Sequence, residues 1–202
     1  MTSRSTRFPH YILAGGESRR FGSDKARHLV AGQAMLRRVA TTLEPFSAST
    51  TIVARSAGAY DDLGYPTIAD AVSNAGPLAG LMTALLHADD VRDDNSPCWV
   101  LLSSCDLIHG SADLIAPLID LATEDRMAAV YLNSGRFEPF PGLYHTSLLP
   151  HLRQAIDTNQ LSFQRLFRAL GPQIASLDLP AAYGYLDMDH RPKDSSLPPS
   201  AE

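Results

Sequence analysis

Two kinds of stretch alternate along this chain. In one, short apolar runs are closed by glycine, proline or small polar residues; in the other, apolar residues return at every third or fourth position. The first reads as buried strand and the second as amphipathic helix, because side chains alternate across a strand but return to one helix face after about 3.6 residues. Strands are predicted over residues 10–14, 50–54, 66–69, 98–102, 127–132 and 173–179. Met35, Leu36, Val39, Ala40 and Leu43 share one helical face, and Pro45 ends that helix. A second helix, opened by Gly76-Pro77, buries Leu78, Leu81, Met82, Leu85 and Leu86; a third buries Leu114, Ile115, Leu118, Ile119 and Ala122. Two more carry Leu148, Leu149, Leu152 and Ile156, then Phe163, Leu166, Phe167 and Leu170 behind a Ser162 cap.

Strands alternating with helices predict an α/β fold of the Rossmann-like, doubly wound kind, a mostly parallel sheet flanked by helices. Cys98-Trp99-Val100-Leu101-Leu102 is unbroken apolar sequence, as expected of a strand covered on both faces, so it belongs at the sheet's centre. Asn133-Ser134-Gly135 reads as a turn into residues 136–144, where Pro139 and Pro141 argue against a central strand.

Composition sets the bounds. At 202 residues and 45% apolar the chain supports one domain of ordinary size, predicted over residues 1–190. Residues 191–202 hold three prolines, three serines and little to bury, and read as a mobile tail. A net charge of −5 leaves no basic excess to draw the chain to nucleic acid or an anionic membrane, so any anion site has to be local. The apolar run after residue 8 is too short for a signal peptide, and no window reaches the ~18 apolar residues of a membrane span, which predicts a cytoplasmic protein. Cys98 and Cys105 fit neither zinc-ligand nor redox spacing and read as reduced core thiols. The seven histidines form no metal-ligand pattern and receive no role.

The candidate chemistry lies after the first strand. Leu13-Ala14-Gly15-Gly16-Glu17-Ser18-Arg19-Arg20-Phe21-Gly22-Ser23-Asp24-Lys25 passes at once from apolar residues to glycines and cations. Gly15 and Gly16 let backbone amides approach a ligand, and Arg19, Arg20 and Lys25 supply positive charge, a combination suited to phosphate. The spacing matches neither the dinucleotide fingerprint nor the P-loop, which argues against a dehydrogenase or a nucleotide kinase. An ordinary exposed turn is the alternative reading. Two further strands end in acids, Asp70 and Asp106, at the edge where open α/β sheets bind ligands. Asp106 follows the most apolar strand, where a carboxylate needs a cationic partner; Mg2+ shared with phosphate oxygens would supply one, and a helix cap or a solvent-facing acid is the alternative.

Taken together, Leu13-Ala14-Gly15-Gly16-x-Ser18-x-Arg20-Phe21-Gly22-x-Asp24-Lys25, Asp70, Gly76-Pro77-Leu78-Ala79-Gly80, Cys105-Asp106-Leu107 and Glu138-Pro139-Phe140-Pro141-Gly142-Leu143-Tyr144 resemble the molybdenum cofactor guanylyltransferases of the nucleotidyltransferase superfamily. The likeness runs in order from about Tyr11 to Asp194. It implies a nucleotide-diphospho-sugar transferase-like fold and transfer of guanylate from GTP to molybdopterin, the organic part of the molybdenum cofactor, with release of pyrophosphate. It further implies that Leu13, Ala14 and Gly15 line the nucleotide pocket, Lys25 meets the phosphates, Asp70 faces the guanosine and Asp106 holds Mg2+; Gly16 and Gly76 are expected beside that pocket, and the charge of Arg19 is expected to help Lys25 neutralise the phosphates. By analogy with related transferases Asp189 is expected as a second metal ligand, with a solvated end of strand as the alternative reading, and residues 136–144 are implied to line the pterin side, although Phe137, Phe140 and Tyr144 also suit a core. Transient contact with cofactor-delivery or molybdoenzyme proteins is implied as well. A related cytidylyl-transferring family carries Ala-Ala-Gly where this chain has Ala14-Gly15-Gly16 and lacks the Gly-Pro-Leu-Ala-Gly segment, which favours guanine. Departures from the pattern are Ala54-Arg55 in place of an Asn, Ser104 and Ile108 in place of prolines, and an extra residue between Asp189 and Pro192. They keep two alternatives open, another nucleotidyltransferase of the same fold (for cytidylate, or for sugar or polyol phosphates) and an inactive nucleotide-binding protein.

Overall fold

The computed structural model describes residues 7–14, 24–72, 75–92, 98–107 and 112–183. The predicted tail, and residues 15–23 with most of the glycine- and arginine-rich loop, lie outside them. Strand β1 (Phe8–Leu13) is followed by a two-residue hairpin pair, β2 (Leu29–Val30) and β3 (Gln33–Ala34), then helix α1 (Met35–Leu43) and strand β4 (Ser47–Ala54). Next come β5 (Thr67–Ala69), α2 (Gly76–Asp90), β6 (Trp99–Ser104) and α3 (Ala112–Leu121). The chain continues with β7 (Ala128–Asn133), β8 (Arg136–His145), α4 (Leu149–Asp157), α5 (Phe163–Leu170) and β9 (Ile174–Asp178). Ser162 caps α5 as expected, its hydroxyl accepting the Arg165 amide.

One seven-stranded sheet has the order β5-β4-β1-β6-β8-β7-β9. Every pairing is parallel except those of β8, which runs antiparallel to β6 and β7. Alternate residues of each strand feed two separate cores. Ile12, Ile52, Leu101 and Leu143 face Leu36, Val39 and Leu43 of α1 and Leu114, Ile115 and Leu118 of α3. Tyr11, Val53, Val100, Leu102 and Tyr144 face Leu81 and Leu85 of α2, Leu152 of α4 and Phe163 and Phe167 of α5. Helices on both faces leave β6 buried at the middle of the sheet, where its unbroken apolar sequence placed it. Among the described residues no helix is long and apolar enough to cross a membrane.

Residues 136–144 contradict the expectation for a proline-bearing stretch, since β8 is interior. The pairing pattern explains how. Partners on β6 are confined to Gly142–His145, and the β7 ladder shifts register between Ala129 and Tyr131, so Pro139 and Pro141 fall where no amide is required. The bulge is tight: Tyr144 donates its hydroxyl to the Pro139 carbonyl at 2.6 Å. A Cβ on Gly142 would stand 2.8 Å from the Tyr144 ring and 2.9 Å from the Pro139 carbonyl oxygen.

Candidate active site

The order of strands determines where a ligand can sit. From β1 the chain builds outward through β4 and β5 on one side and through β6 on the other, so the crevice beyond the carboxyl ends of β1 and β6 is the topological switch point. Four strand ends are stitched together there by three backbone hydrogen bonds. The Cys105 amide donates to the Leu13 carbonyl at 3.0 Å, the Ala14 amide to Val53 at 2.9 Å and the Asp70 amide to Ala54 at 2.7 Å. Leu13 and Ala14 thus enter the crevice beside the turn that carries Asp106, and Asp70 joins the same edge from β5.

Lys25 and Asp106 meet at this point in a side-chain ion pair. Lys25 opens a 3-10 turn, Lys25–Arg27, capped by the Asp24 carboxylate, which accepts the Ala26 amide at 3.0 Å. Asp106 sits in a turn that the Leu107 amide closes on the Ser104 carbonyl at 3.3 Å, so this loop forms with serine where the resembling family has proline. Asp106 is only 8% exposed. The acid is not solvent-facing, and its counter-charge here is Lys25. Burial, and then the Asp106 charge, push the neighbouring Cys105 thiol up to about 12, and Cys98 is likewise buried and outside any disulfide. Cys105 therefore offers no thiolate nucleophile at neutral pH.

Asp70 is not part of that pair. Its Oδ1 lies 2.8 Å from the Thr83 hydroxyl of α2, which also accepts the Ala71 amide at 2.9 Å, so the helix orients the acid. Gly76 begins α2 with φ +64°, a conformation that favours glycine. One turn on, Gly80 lets α2 lie against the end of β1, since a Cβ there would come within 2.9 Å of Leu13 Cδ2. Gly80 of the Gly-Pro-Leu-Ala-Gly segment thus sets the position of Leu13. In the stretch expected to line the pterin side, Tyr144 is fully buried, and half-buried Phe137 and Phe140 stack edge-on against Phe167 and Phe163 at 5.3 and 5.7 Å. All three aromatics pack into the core on the α5 side. Gly15, Gly16, Arg19, Ile108 and Asp189 lie outside the described residues.

Sequence reasoning passed over Thr83 and the turn after β4 that holds Tyr60. Thr83 reads as one more small residue on a buried helix face, and Tyr60 lies 36 positions from the acid it contacts. Also unassigned was His10, wholly buried, with Nε2 2.8 Å from the Ser103 hydroxyl on the adjacent strand. Burial pushes its pKa down to about 3, so the imidazole is neutral.

A buried lysine–carboxylate pair at the switch point of a doubly wound sheet, in a chain whose sequence just before that lysine is rich in glycine and arginine, suits a nucleotidyltransferase. The chain belongs to the family described as the MobA-like NTP transferase domain, whose sequence profile matches residues 10–174. That span runs from within β1 to the first residue of β9 and leaves Asp189 beyond it. A molybdenum cofactor guanylyltransferase of Sinorhizobium fredii is 36% identical over 182 residues, covering 89% of this chain and 82% of the relative. Among solved structures, molybdopterin-guanine dinucleotide biosynthesis protein A of Archaeoglobus fulgidus superposes with a TM-score of 0.67 at 20% identity, covering 84% of this chain and 83% of that one. The 2-C-methyl-D-erythritol 4-phosphate cytidylyltransferase of Thermus thermophilus superposes with 0.64 at 20% identity, covering 90% and 92%. These two likenesses establish the nucleotide-diphospho-sugar transferase-like fold.

Proposed function

We propose that this enzyme transfers guanylate from GTP to molybdopterin and releases pyrophosphate. The observation that carries the reading is the buried Lys25–Asp106 pair at the mouth of the crevice, in a chain 36% identical to a relative that bears that activity in its name. A terminal phosphate of molybdopterin attacks the α-phosphorus of GTP; the new phosphoanhydride bond forms as the bond to pyrophosphate breaks. The attacking oxygen is already anionic at neutral pH, so no general base is needed. Neutral Cys105 and His10 fit such a site. The barrier is repulsion between polyanions, which makes positioning and charge neutralisation the protein's task.

Lys25, with Arg19 and the amides at Gly15 and Gly16, receives the phosphates; Leu13, Ala14 and Gly76 border the nucleoside, and Asp70 accepts from guanine N–H groups or a ribose hydroxyl. Asp106 suits Mg2+, a hard cation that takes one or two carboxylates and completes its shell with phosphates and water. Among the described residues there is no group of three or more acids, histidines or cysteines that could hold a metal, so within them the ion would be shared with the nucleotide. Bound there, Mg2+ would clamp phosphate oxygens and offset charge on the departing pyrophosphate. Asp189 remains the proposed second ligand. Molybdopterin is the acceptor, and the proteins that deliver or receive the cofactor are the expected partners. A soluble, cytoplasmic setting suits this role.

The cytidylyltransferase fold neighbour keeps a second reading in view, CTP as the donor. Incubating the protein with α-labelled GTP or CTP, molybdopterin and Mg2+ decides between them. Labelled dinucleotide from GTP alone supports the proposal. Label from CTP, or nucleotide bound without pyrophosphate release, contradicts it.

A further inference from the structure

The turn that follows β4 reaches back to the nucleotide site through one side chain. Tyr60 is 6% exposed, its amide donates to the Thr67 hydroxyl of β5 at 3.1 Å, and its ring packs in the core cluster that contains Ile12 and Ala26. Its hydroxyl lies 3.1 Å from Asp24 Oδ1 and 3.3 Å from the Ala14 carbonyl oxygen. Those two acceptors are the residues on either side of 15–23, the stretch carrying Gly15, Gly16 and Arg19. A single oxygen therefore contacts both flanking residues.

Around this contact the second end is held from other directions. Asp24 Oδ2 lies 3.5 Å from Arg27 Nε, while Oδ1 caps the Lys25–Arg27 turn. Arg27 forks onto Asp62 at 2.7 and 2.8 Å, donates to the Ala59 carbonyl at 2.8 Å and lies over the Tyr60 ring at 5.3 Å. Asp24, Arg27, Tyr60 and Asp62 thus tie the start of the Lys25 turn to a segment already fixed on the sheet. Lys25 is the next residue after Asp24.

We propose that Tyr60 is a positioning residue of the nucleotide site: by holding Asp24 against Ala14 at the end of β1 it fixes the start of the Lys25 turn and sets Lys25 where the triphosphate needs it. This rests on the GTP reading above. A lysine held in place in advance spares the entropy that ligand binding would otherwise have to remove, so the ligand binds more tightly. The contact is to a carboxylate, the stronger class of hydrogen bond.

Calorimetric titration of the full chain with GTP and Mg2+ tests this in a double-mutant cycle of Tyr60→Phe and Lys25→Ala. Tyr60→Phe keeps the ring in its core and removes only the oxygen. We expect it to weaken GTP about tenfold in the otherwise unaltered protein, on the scale of one lost hydrogen bond to a charged group, and to change affinity little when Lys25 is already alanine. A purely structural tyrosine would act equally in both backgrounds, so equal factors overturn the proposal, as does unchanged affinity in the single variant. If the unaltered protein binds no GTP, the GTP reading fails and this inference with it; if it binds GTP and Tyr60→Phe binds it as well, only this inference fails.

Discussion

Lys25 and Asp106 hold opposite charges where water has little access, their side chains only 13% and 11% exposed. Such a pair contributes little net stability, but removing one partner strands the other charge at a cost of roughly 3–5 kcal/mol. Lys25→Met and Asp106→Leu are each expected to destabilise by about 3 kcal/mol in urea unfolding, and the double variant to return to within about 1 kcal/mol of the parent. Turnover should not return: each single variant and the double lose on the order of 10²-fold or more, as when one preorganised electrostatic group is removed. A double variant as unstable as the sum of its parts would show that the two side chains do not neutralise one another. His10 supplies a second residue-scale prediction. Folding lowers its pKa from 6.5 to about 3, so the unfolded chain binds a proton that the native one refuses. Its contribution is complete above pH 6.5 and erodes as pH falls toward 3, by up to ~1.4 kcal/mol per pH unit. In His10→Gln, which retains a group able to bond Ser103 but does not titrate, stability measured between pH 6 and 4 should fall less steeply than in the parent.

At the scale of elements, periodicity told most of the story and proline misled once. Met35, Leu36, Val39, Ala40 and Leu43 marked the face that α1 buries, and the alternation of Tyr11 with Ile12 is the alternation between the two cores. The strand over Pro139 and Pro141 was misjudged because a proline's cost depends on whether its position needs an amide, which the partner strands decide and the local sequence does not show. Gly142 carries the evidence of that arrangement, because side chain and backbone crowd it together. Gly142→Ala is expected to destabilise by about 1–3 kcal/mol, the usual cost of overpacking, since the Pro139 carbonyl is backbone and cannot swing aside. Thermal or urea unfolding measures it, and a neutral result would mean the bulge relaxes freely. The β2–β3 hairpin went unread because two-residue strands leave too little pattern to register.

For the molecule as a whole, the α/β class and the centrality of β6 followed from sequence, but the order of the strands did not, since pairing between distant segments leaves no local trace. That order is what gathers the site. It brings the end of β1, the turn after β6 and the end of β5 to one edge, and so joins Lys25 to Asp106 across 81 positions of chain. Of the residues proposed for the site, Asp70 and Asp106 were conspicuous in the sequence as acids at the ends of apolar strands, and Lys25 as the last cation of a glycine- and arginine-rich run. Those that hold them, Thr83 and Tyr60, were not, because their work is visible only once their partners are in place. The account as a whole rests on a guanine nucleotide filling this crevice, and titration with GTP, CTP and ATP, each with Mg2+, tests it most directly. Selective binding of GTP that is markedly weakened in Lys25→Ala is the predicted result; preference for CTP, or binding of GTP that is indifferent to Lys25, would contradict it.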